Sequence, residues 1–374
     1  MSDTLRSGYT TGACAAVGVK AALLYEQGNE WDMIELRALD GTELIIPVKN
    51  ITKENDVLTA EVVKFSGDDP DITNGVSVFT TIRHLPDAPA EVIFKAGEGI
   101  GTVTKPGLSV PVGEPSINPG PRQLIRNAVA DVLGTDKVPL EVTISIPAGV
   151  ELAKQTLNPI LGVEGGISVI GTTGVLRPMS EEGFKNSLVP QIDVAKAAGY
   201  EELIFVPGKI GERLAKEWQL PEAAMVQTSN FIGFMLEAAQ KREIKRVLLF
   251  GHIGKLIKVA AGCFYTHNRI ADGRLETMAA YGAAAGLTTQ QVQAVLNANT
   301  TEDALAVLAQ AGLKEKVCQA LAMRASTRAQ RYLFQKMQVG TVLVTLTGEL
   351  LGMDDTAREI CRNLGGKLPD EQAE

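Results

Sequence analysis

His252, Lys255 and Lys258 sit just after an apolar run, in and beyond the string Gly251-His252-Ile253-Gly254-Lys255, and His267, Asn268, Arg269, Asp272, Arg274 and Glu276 follow soon after. A histidine placed there suits a general base, and it suits equally well a structural hydrogen-bonding role. His252 and His267 are therefore the two catalytic candidates. Gly171-Thr172-Thr173-Gly174, followed by Arg177-Pro178-Met179-Ser180, combines backbone donors, hydroxyls and a guanidinium, and Thr228-Ser229-Asn230 offers similar chemistry. Near the start, Arg6-Ser7-Gly8-Tyr9-Thr10-Thr11-Gly12 places two hydroxyls ahead of a smooth-sided helix. The free N–H groups and positive dipole end of such a helix favour a carboxylate or phosphate, although simple capping by a threonine leaves the same signature.

Other chemistries lack their residues. Gly254-Lys255 has neither the spaced upstream glycine nor the following Ser or Thr of a phosphate-binding P-loop. No Ser-His-Asp or Cys-His constellation stands out. The four cysteines, Cys14, Cys263, Cys318 and Cys361, are far apart and form no C-x-x-C pair, which points to buried small side chains rather than disulfides or a zinc ribbon. With three histidines in the chain, Cys263 and His267 at helical i, i+4 spacing would be two metal ligands without a third, so no metal site is assigned.

These residues need elements to hold them, and from residue 166 onward one pattern recurs. Apolar runs at 167–170, 203–206, 225–227, 247–250 and 341–346 each stop at small or hydrogen-bonding residues. Helical patterns near 185–198, 210–218, 230–241 and 255–263 alternate with them. Strands alternating with helices make a parallel sheet, and ligands bind at its carboxyl edge. The first part of the chain differs. A helix over 10–27 precedes alternating strands at 33–38, 42–48, 58–65, 76–83, 91–96 and 140–146, with one more helix over 121–133. The expected architecture is a two-domain α/β chain. An α+β domain over 1–155 is followed by a Rossmann-like α/β domain over 156–374, whose mostly parallel sheet is interrupted by a helical insert at 272–337. Helices are expected in that insert at 274–285, 289–297, 302–311 and 314–337. Thr288 with Gln291 has capping-box spacing, and Asn299-Thr300-Thr301 opens the next helix. The charged tail after Gly365 is expected to fray.

The 374 residues, 45% hydrophobic and 21% charged, suffice for a large core. A net charge of -8 argues against nucleic acid, which needs surplus cations facing phosphates, but not against an anionic small molecule met by a local cation cluster. No stretch approaches the ~20 apolar residues of a membrane span, and the start has no signal-peptide character, so a cytoplasmic address without membrane association is expected.

Taken in order along the chain, several strings resemble those of the cobalt-precorrin-5B C1-methyltransferases, the CbiD family of anaerobic cobalamin biosynthesis. They are Gly8-Tyr9-Thr10-Thr11-Gly12, Val103-Thr104-Lys105-Pro106-Gly107-Leu108, Pro111-Val112-Gly113-Glu114-Pro115, and Gly165-Gly166-Ile167-Ser168 with Gly171-Thr172-Thr173-Gly174. Ser229-Asn230-Phe231-Ile232-Gly233, Gly251-His252-Ile253-Gly254-Lys255, Thr266-His267 and Ala271-Asp272-Gly273-Arg274 continue the series. Ala13 departs from it, standing where a further hydroxyl is expected.

The resemblance implies methyl transfer from S-adenosylmethionine to a ring carbon of a cobalt-containing, carboxylate-fringed tetrapyrrole, giving cobalt-precorrin-6A. Cobalt then arrives inside the substrate, and no protein-bound metal is required. It also implies that the usual methyltransferase fingerprint is absent. Gly97-Glu98-Gly99-Ile100-Gly101 imitates that loop, but Pro106 falls where its helix would start, so a glycine hairpin fits as well. For the methyl donor the candidates are Gly171, Thr172, Thr173, Gly174, Ser229 and Asn230. The 171 turn is preferred over the G-x-G-x-G loop because a helix is expected after it. For the corrinoid they are Arg6, Thr10, Thr11, Lys105, Arg122, Arg177, Lys255 and Arg274, with Arg126, Lys209 and Arg269 as further cations. The macrocycle is expected between the domains, against the sheet edge and the proline-rich loop. Two other functions use the same turns: a nucleotide-linked enzyme (dehydrogenase or kinase), and a tetrapyrrole carrier without turnover. Assembly into a homo-oligomer stays open.

Overall fold

The computed structural model describes residues 5–178 and 181–369. The chain forms two compact units, Met1–Glu181 and Glu182–Glu374. Met179 and Ser180 of the candidate set, the first four residues and the end of the tail, 370–374, lie outside the described residues.

The first unit begins with strand β1 (Gly8–Tyr9), helix α1 (Thr11–Glu26), and strands β2 (Met33–Arg37), β3 (Glu43–Pro47), β4 (Asn50–Glu54), β5 (Val57–Val63), β6 (Ser77–His84), β7 (Val92–Ala96) and β8 (Thr102–Val103). Helix α2 (Pro119–Leu133), strand β9 (Leu140–Ser145), short helices α3 (Gly149–Ala153) and α4 (Asn158–Leu161), and strands β10 (Val163–Glu164) and β11 (Val175–Leu176) complete it. Its main sheet has the order β4-β5-β6-β9-β7, antiparallel except for the β9–β7 pair. Alternation along β5 turns Leu58, Ala60 and Val62 into the core. Helix α1 covers that face, and its small side chains explain how closely it lies. A Cβ on Gly18 would come within 2.6 Å of Thr80 Oγ1.

The boundary falls later than residue 155. β10 pairs with β8, β11 pairs with β1, and Ile167 and Val169 bridge to Ile100 and Ile117, so residues 156–178 belong to the first unit. The run 167–170 is therefore not a strand of the parallel sheet. An apolar run ending in glycine reads the same whether it enters a large sheet or makes single bridges to loops, and only its partners decide.

The second unit starts with α5 (Glu181–Leu188), whose first residue is the last of the first unit, and α6 (Pro190–Ala197). Pro190 splits what had read as one helix. Then come β12 (Glu202–Val206), α7 (Lys209–Glu217), β13 (Met225–Gln227), α8 (Ile232–Lys241), β14 (Arg246–His252) and α9 (Ile253–Ala261). The insert contributes α10 (Arg274–Ala285), α11 (Thr289–Leu296), α12 (Thr301–Gln310) and α13 (Lys314–Tyr332). Full capping boxes start α11 at Thr288 and α12 at Thr300. Strands β15 (Gln338–Val344) and β16 (Leu350–Met353) and helix α14 (Asp355–Asn363) close the chain.

The sheet order is β13-β12-β14-β15-β16, with β12 to β15 mutually parallel and β16 antiparallel. Thr347-Gly348-Glu349 is thus a hairpin corner, where the sequence had suggested another strand-to-helix turn. Leu248, Phe250, Val342 and Val344 pack with Leu214 and Trp218 of α7 and Ile360 and Cys361 of α14 on one face. The opposite face meets α13, where a Cβ on Gly352 would be 2.6 Å from Cys318 O. Both outer strands are short, three residues in β13 and four in β16. No helix among the described residues is long and apolar enough to cross a membrane.

Candidate functional site

In the first unit the start of α1 is already occupied. Thr10 caps it by accepting from Ala13 N at 3.2 Å, Gly12 N donates to Ile170 O at 3.1 Å, and Cys14 N donates to Thr10 O. Thr11 Oγ1 holds Ile170 through its N–H at 3.0 Å. These donors are spent within the chain, so Thr10, buried, serves as the cap of α1, and Thr11, also buried, anchors the backbone at Ile170.

The same contacts remove the case for a cofactor cradle at Gly171-Thr172-Thr173-Gly174. Gly171, at φ 141°, leaves only 2.2 Å between a notional Cβ and Thr10 Oγ1, and a Cβ on Gly120 would stand 2.4 Å from Gly171 O. Thr173 O accepts from Leu39 N and Gly174 O from Thr10 N. No helix follows directly: the chain runs on into β11. Sequence reasoning saw the glycines correctly and mistook tight backbone packing for space. The G-x-G-x-G string has the same explanation, because a Cβ on Gly99 would stand 1.8 Å from Ile146 O.

The cations of this unit are mostly paired. Arg6 binds Asp68, Arg122 binds Glu114 at 2.7 Å and Ile117 O at 2.8 Å, and Arg177 reaches Asp40 at 3.1 Å. Arg122 and Arg126 both lie over the Phe94 ring, at 5.2 and 5.1 Å. Lys105 Nζ reaches Ile160 O at 3.4 Å, with no carboxylate beside it among the described residues.

The second unit gathers the other candidates at the carboxyl edge of its sheet. His252 ends β14 and caps α9: its Nδ1 accepts from Gly254 N at 3.1 Å, which places the ring proton on Nε2, facing Glu302 Oε1 at 3.0 Å. Both ring nitrogens are engaged, an arrangement that suits a structural cap better than a base. Glu302 also accepts from Leu346 N, so the insert's α12 is fastened to the ends of β14 and β15. Lys255 crosses from α9 to Pro207 O at 2.8 Å, tying the ends of β14 and β12 together. Burial lowers its pKa, and the neighbouring Lys258 adds to the shift. Lys209 is exposed beside Glu212.

Beyond β13, Thr228 is fully buried and its Oγ1 has no hydrogen-bond partner among the described residues, and Ser229 takes a left-handed φ of 52°. Such a conformation costs a non-glycine residue free energy. Asn230 O accepts from Thr266 N at 2.9 Å, which draws the segment after α9 against this turn. Lys258, buried, holds the same segment by donating to Thr266 O at 3.1 Å and Asn268 Oδ1 at 2.5 Å. Burial pushes its pKa down while the Asp272 carboxylate opposes the shift. Arg274 is clamped to Asp272 at 2.7 and 2.8 Å. His267 Nδ1 accepts from Arg269 N at 3.2 Å. Helix α9 ends at Ala261, so Cys263 and His267 do not share the helix face that their spacing suggested. Among the described residues no three of His, Cys, Asp and Glu group as metal ligands.

A series of rings, legible in no spacing, runs along this corner. Phe184 of α5 lies 5.8 Å from Phe231, Phe231 lies 5.0 Å from Tyr265, and Tyr265 lies 6.3 Å from His267.

Against known proteins, the CbiD family model matches residues 1–178, and the model of the CbiD C-terminal domain matches residues 265–355. A cobalt-precorrin-5B C(1)-methyltransferase of Moorella thermoacetica is 48% identical over 98% of this chain and 99% of its own. One from Methanocaldococcus jannaschii is 45% identical over 92% of this chain and 95% of its own. The chain belongs to the CbiD family. A crystal structure of a cobalamin biosynthesis protein (cbiD) from Archaeoglobus fulgidus matches at a TM-score of 0.38 and 24% identity, over 72% of this chain and 84% of that one, too loosely to carry an argument. Within the CbiD family strings themselves, Gly8, Gly12 and Gly171 each meet a neighbouring residue closer than a Cβ allows, so part of the resemblance is packing.

Proposed function

We propose that this chain transfers the methyl group of S-adenosylmethionine to C1 of cobalt-precorrin-5B, giving cobalt-precorrin-6A. Its identity of 45 to 48% with curated cobalt-precorrin-5B C(1)-methyltransferases, over nearly their full lengths, carries the reading. The chemistry asks little of side chains. An electron pair of the ring carbon displaces the sulfonium sulfur, so what matters is holding carbon and methyl about 3 to 3.5 Å apart and in line.

The second unit is Rossmann-like in this reading. Numbered from β12, its strand order is 2-1-3-4-5, which puts a topological switch between β12 and β14, where a ligand crevice is expected. Pro207, Gly208 and Lys255 border that switch, and the Thr228-Ser229-Asn230 turn stands next to it at the end of β13. We place the methyl donor there. The unpaired Thr228 hydroxyl and the strained Ser229 support this choice over the Gly171 turn, whose polar groups serve the first unit's own packing. Incubating the protein anaerobically with methyl-labelled S-adenosylmethionine and cobalt-precorrin-5B tests the function. Label is expected in the macrocycle at one carbon, and binding without transfer would make the chain a carrier.

A further inference from the structure

Helix α7 begins beside the switch between β12 and β14 with its first amides uncovered. Its N-cap is Gly208, which has no side chain to offer, and among the described residues the N–H groups of Lys209 and Ile210 find no acceptor. A helix start left in this state carries partial positive charge. A Cβ on Gly208 would meet nothing within 4 Å, so the place that a capping side chain would take is open.

Two further groups at this corner lack what would balance them. Lys255 Nζ donates to Pro207 O at 2.8 Å, one residue ahead of that N-cap. Burial and the neighbouring Lys258 both disfavour its charge, and among the described residues no carboxylate offsets them. An ammonium in such a position is stabilised by an arriving anion. Thr228 stands beside the same loop, its N–H on Val206 O at 3.1 Å, and its fully buried hydroxyl is left without a hydrogen-bond partner among the described residues. Glycines bring the groups together. A Cβ on Gly211 would stand 2.5 Å from Phe250 O, and one on Gly251 would stand 3.2 Å from Pro207 Cδ, so the start of α7 lies directly on the end of β14, from which Lys255 follows.

Resting on the placement of the methyl donor at this switch, we infer that Lys255 and the first amides of α7 form a binding site for a carboxylate. A carboxylate there accepts charge-assisted hydrogen bonds from the backbone and brings Lys255 the opposite charge it lacks. Both substrates carry the group, the methyl donor on its amino-acid end and the macrocycle on its margin.

Gly208→Asp builds a carboxylate into the N-cap position. It should cap α7 and face Lys255, so Tm holds or rises while the site closes to a ligand. The Kd for S-adenosylmethionine by calorimetry, or for cobalt-precorrin-5B by absorbance titration, is expected to rise roughly tenfold or more. Decarboxylated S-adenosylmethionine separates the two sources. A loss with S-adenosylmethionine that is absent with the decarboxylated compound assigns the donor's carboxylate, and a loss confined to the macrocycle assigns one of the macrocycle's. Lys255→Gln, which can still donate to Pro207 O, should weaken the same ligand. Unchanged affinity for both ligands in the two variants overturns the inference, as does an equal loss with S-adenosylmethionine and its decarboxylated form. Wild-type protein that binds both ligands but transfers no methyl overturns the methyltransferase reading alone, and the variants' binding then decides the inference. Wild-type protein that binds neither overturns both.

Discussion

His252 shows how a side chain's partners settle what its type leaves open. Its Nδ1 holds the first turn of α9 and its Nε2–H faces a carboxylate that also holds the end of β15. His252→Ala should therefore lose about 1 to 2 kcal/mol of stability in urea unfolding. His252→Asn, which can still cap, should recover much of that and keep methyl transfer within about tenfold of wild type. A general base would instead lose about a hundredfold or more with stability intact. The position of His252 was legible from the apolar run before it. Its role was not, because the Glu302 that completes the arrangement is 50 residues away in the insert. The ring series was invisible for the same reason, since Phe184, Phe231 and Tyr265 meet only through the fold.

Elements were easier to read than their partners. Alternation located six strands of the first unit, and capping chemistry located the insert helices, because both are local consequences of side-chain direction and of unpaired N–H groups. β4 escaped because four of its five residues are exposed and two, Lys53 and Glu54, are charged, so no buried stripe marks it. The first expected strand failed at 167–170, where the Gly171 turn proved to be a packing contact with Thr10. Glycine also governs how α7 sits on the sheet. A Cβ on Gly211 would be 2.5 Å from Phe250 O, a backbone atom of β14 that cannot move aside. Gly211→Ala is thus expected to cost about 1 to 3 kcal/mol by overpacking, read as a lowered Tm, and to weaken S-adenosylmethionine binding by shifting the β12–β14 switch. A variant as stable as wild type would show that α7 is not held by this contact.

At the scale of the molecule, the cysteines report on both units. Burial pushes the thiols of Cys14, Cys318 and Cys361 up to about 12, while Cys263 is only partly buried. Thiolates, not thiols, react with disulfide reagents. Native protein at neutral pH should accordingly label fast at Cys263 alone, and at the other three only as structure opens. Mass spectrometry along a urea gradient would then follow the first unit through Cys14 and the second through Cys318 and Cys361. Fast native labelling of Cys14 would mean that α1 does not stay seated on its sheet.

The brevity of β13 and β16 has a consequence for the chain in crowded company. A sheet recruits neighbours through rows of unpaired amides on its margins, and here each margin offers only a few rungs. The first unit's β4 margin is longer but carries Lys53 and Glu54. The second unit's sheet therefore has little with which to template ribbon-like polymerisation when the protein is concentrated during expression.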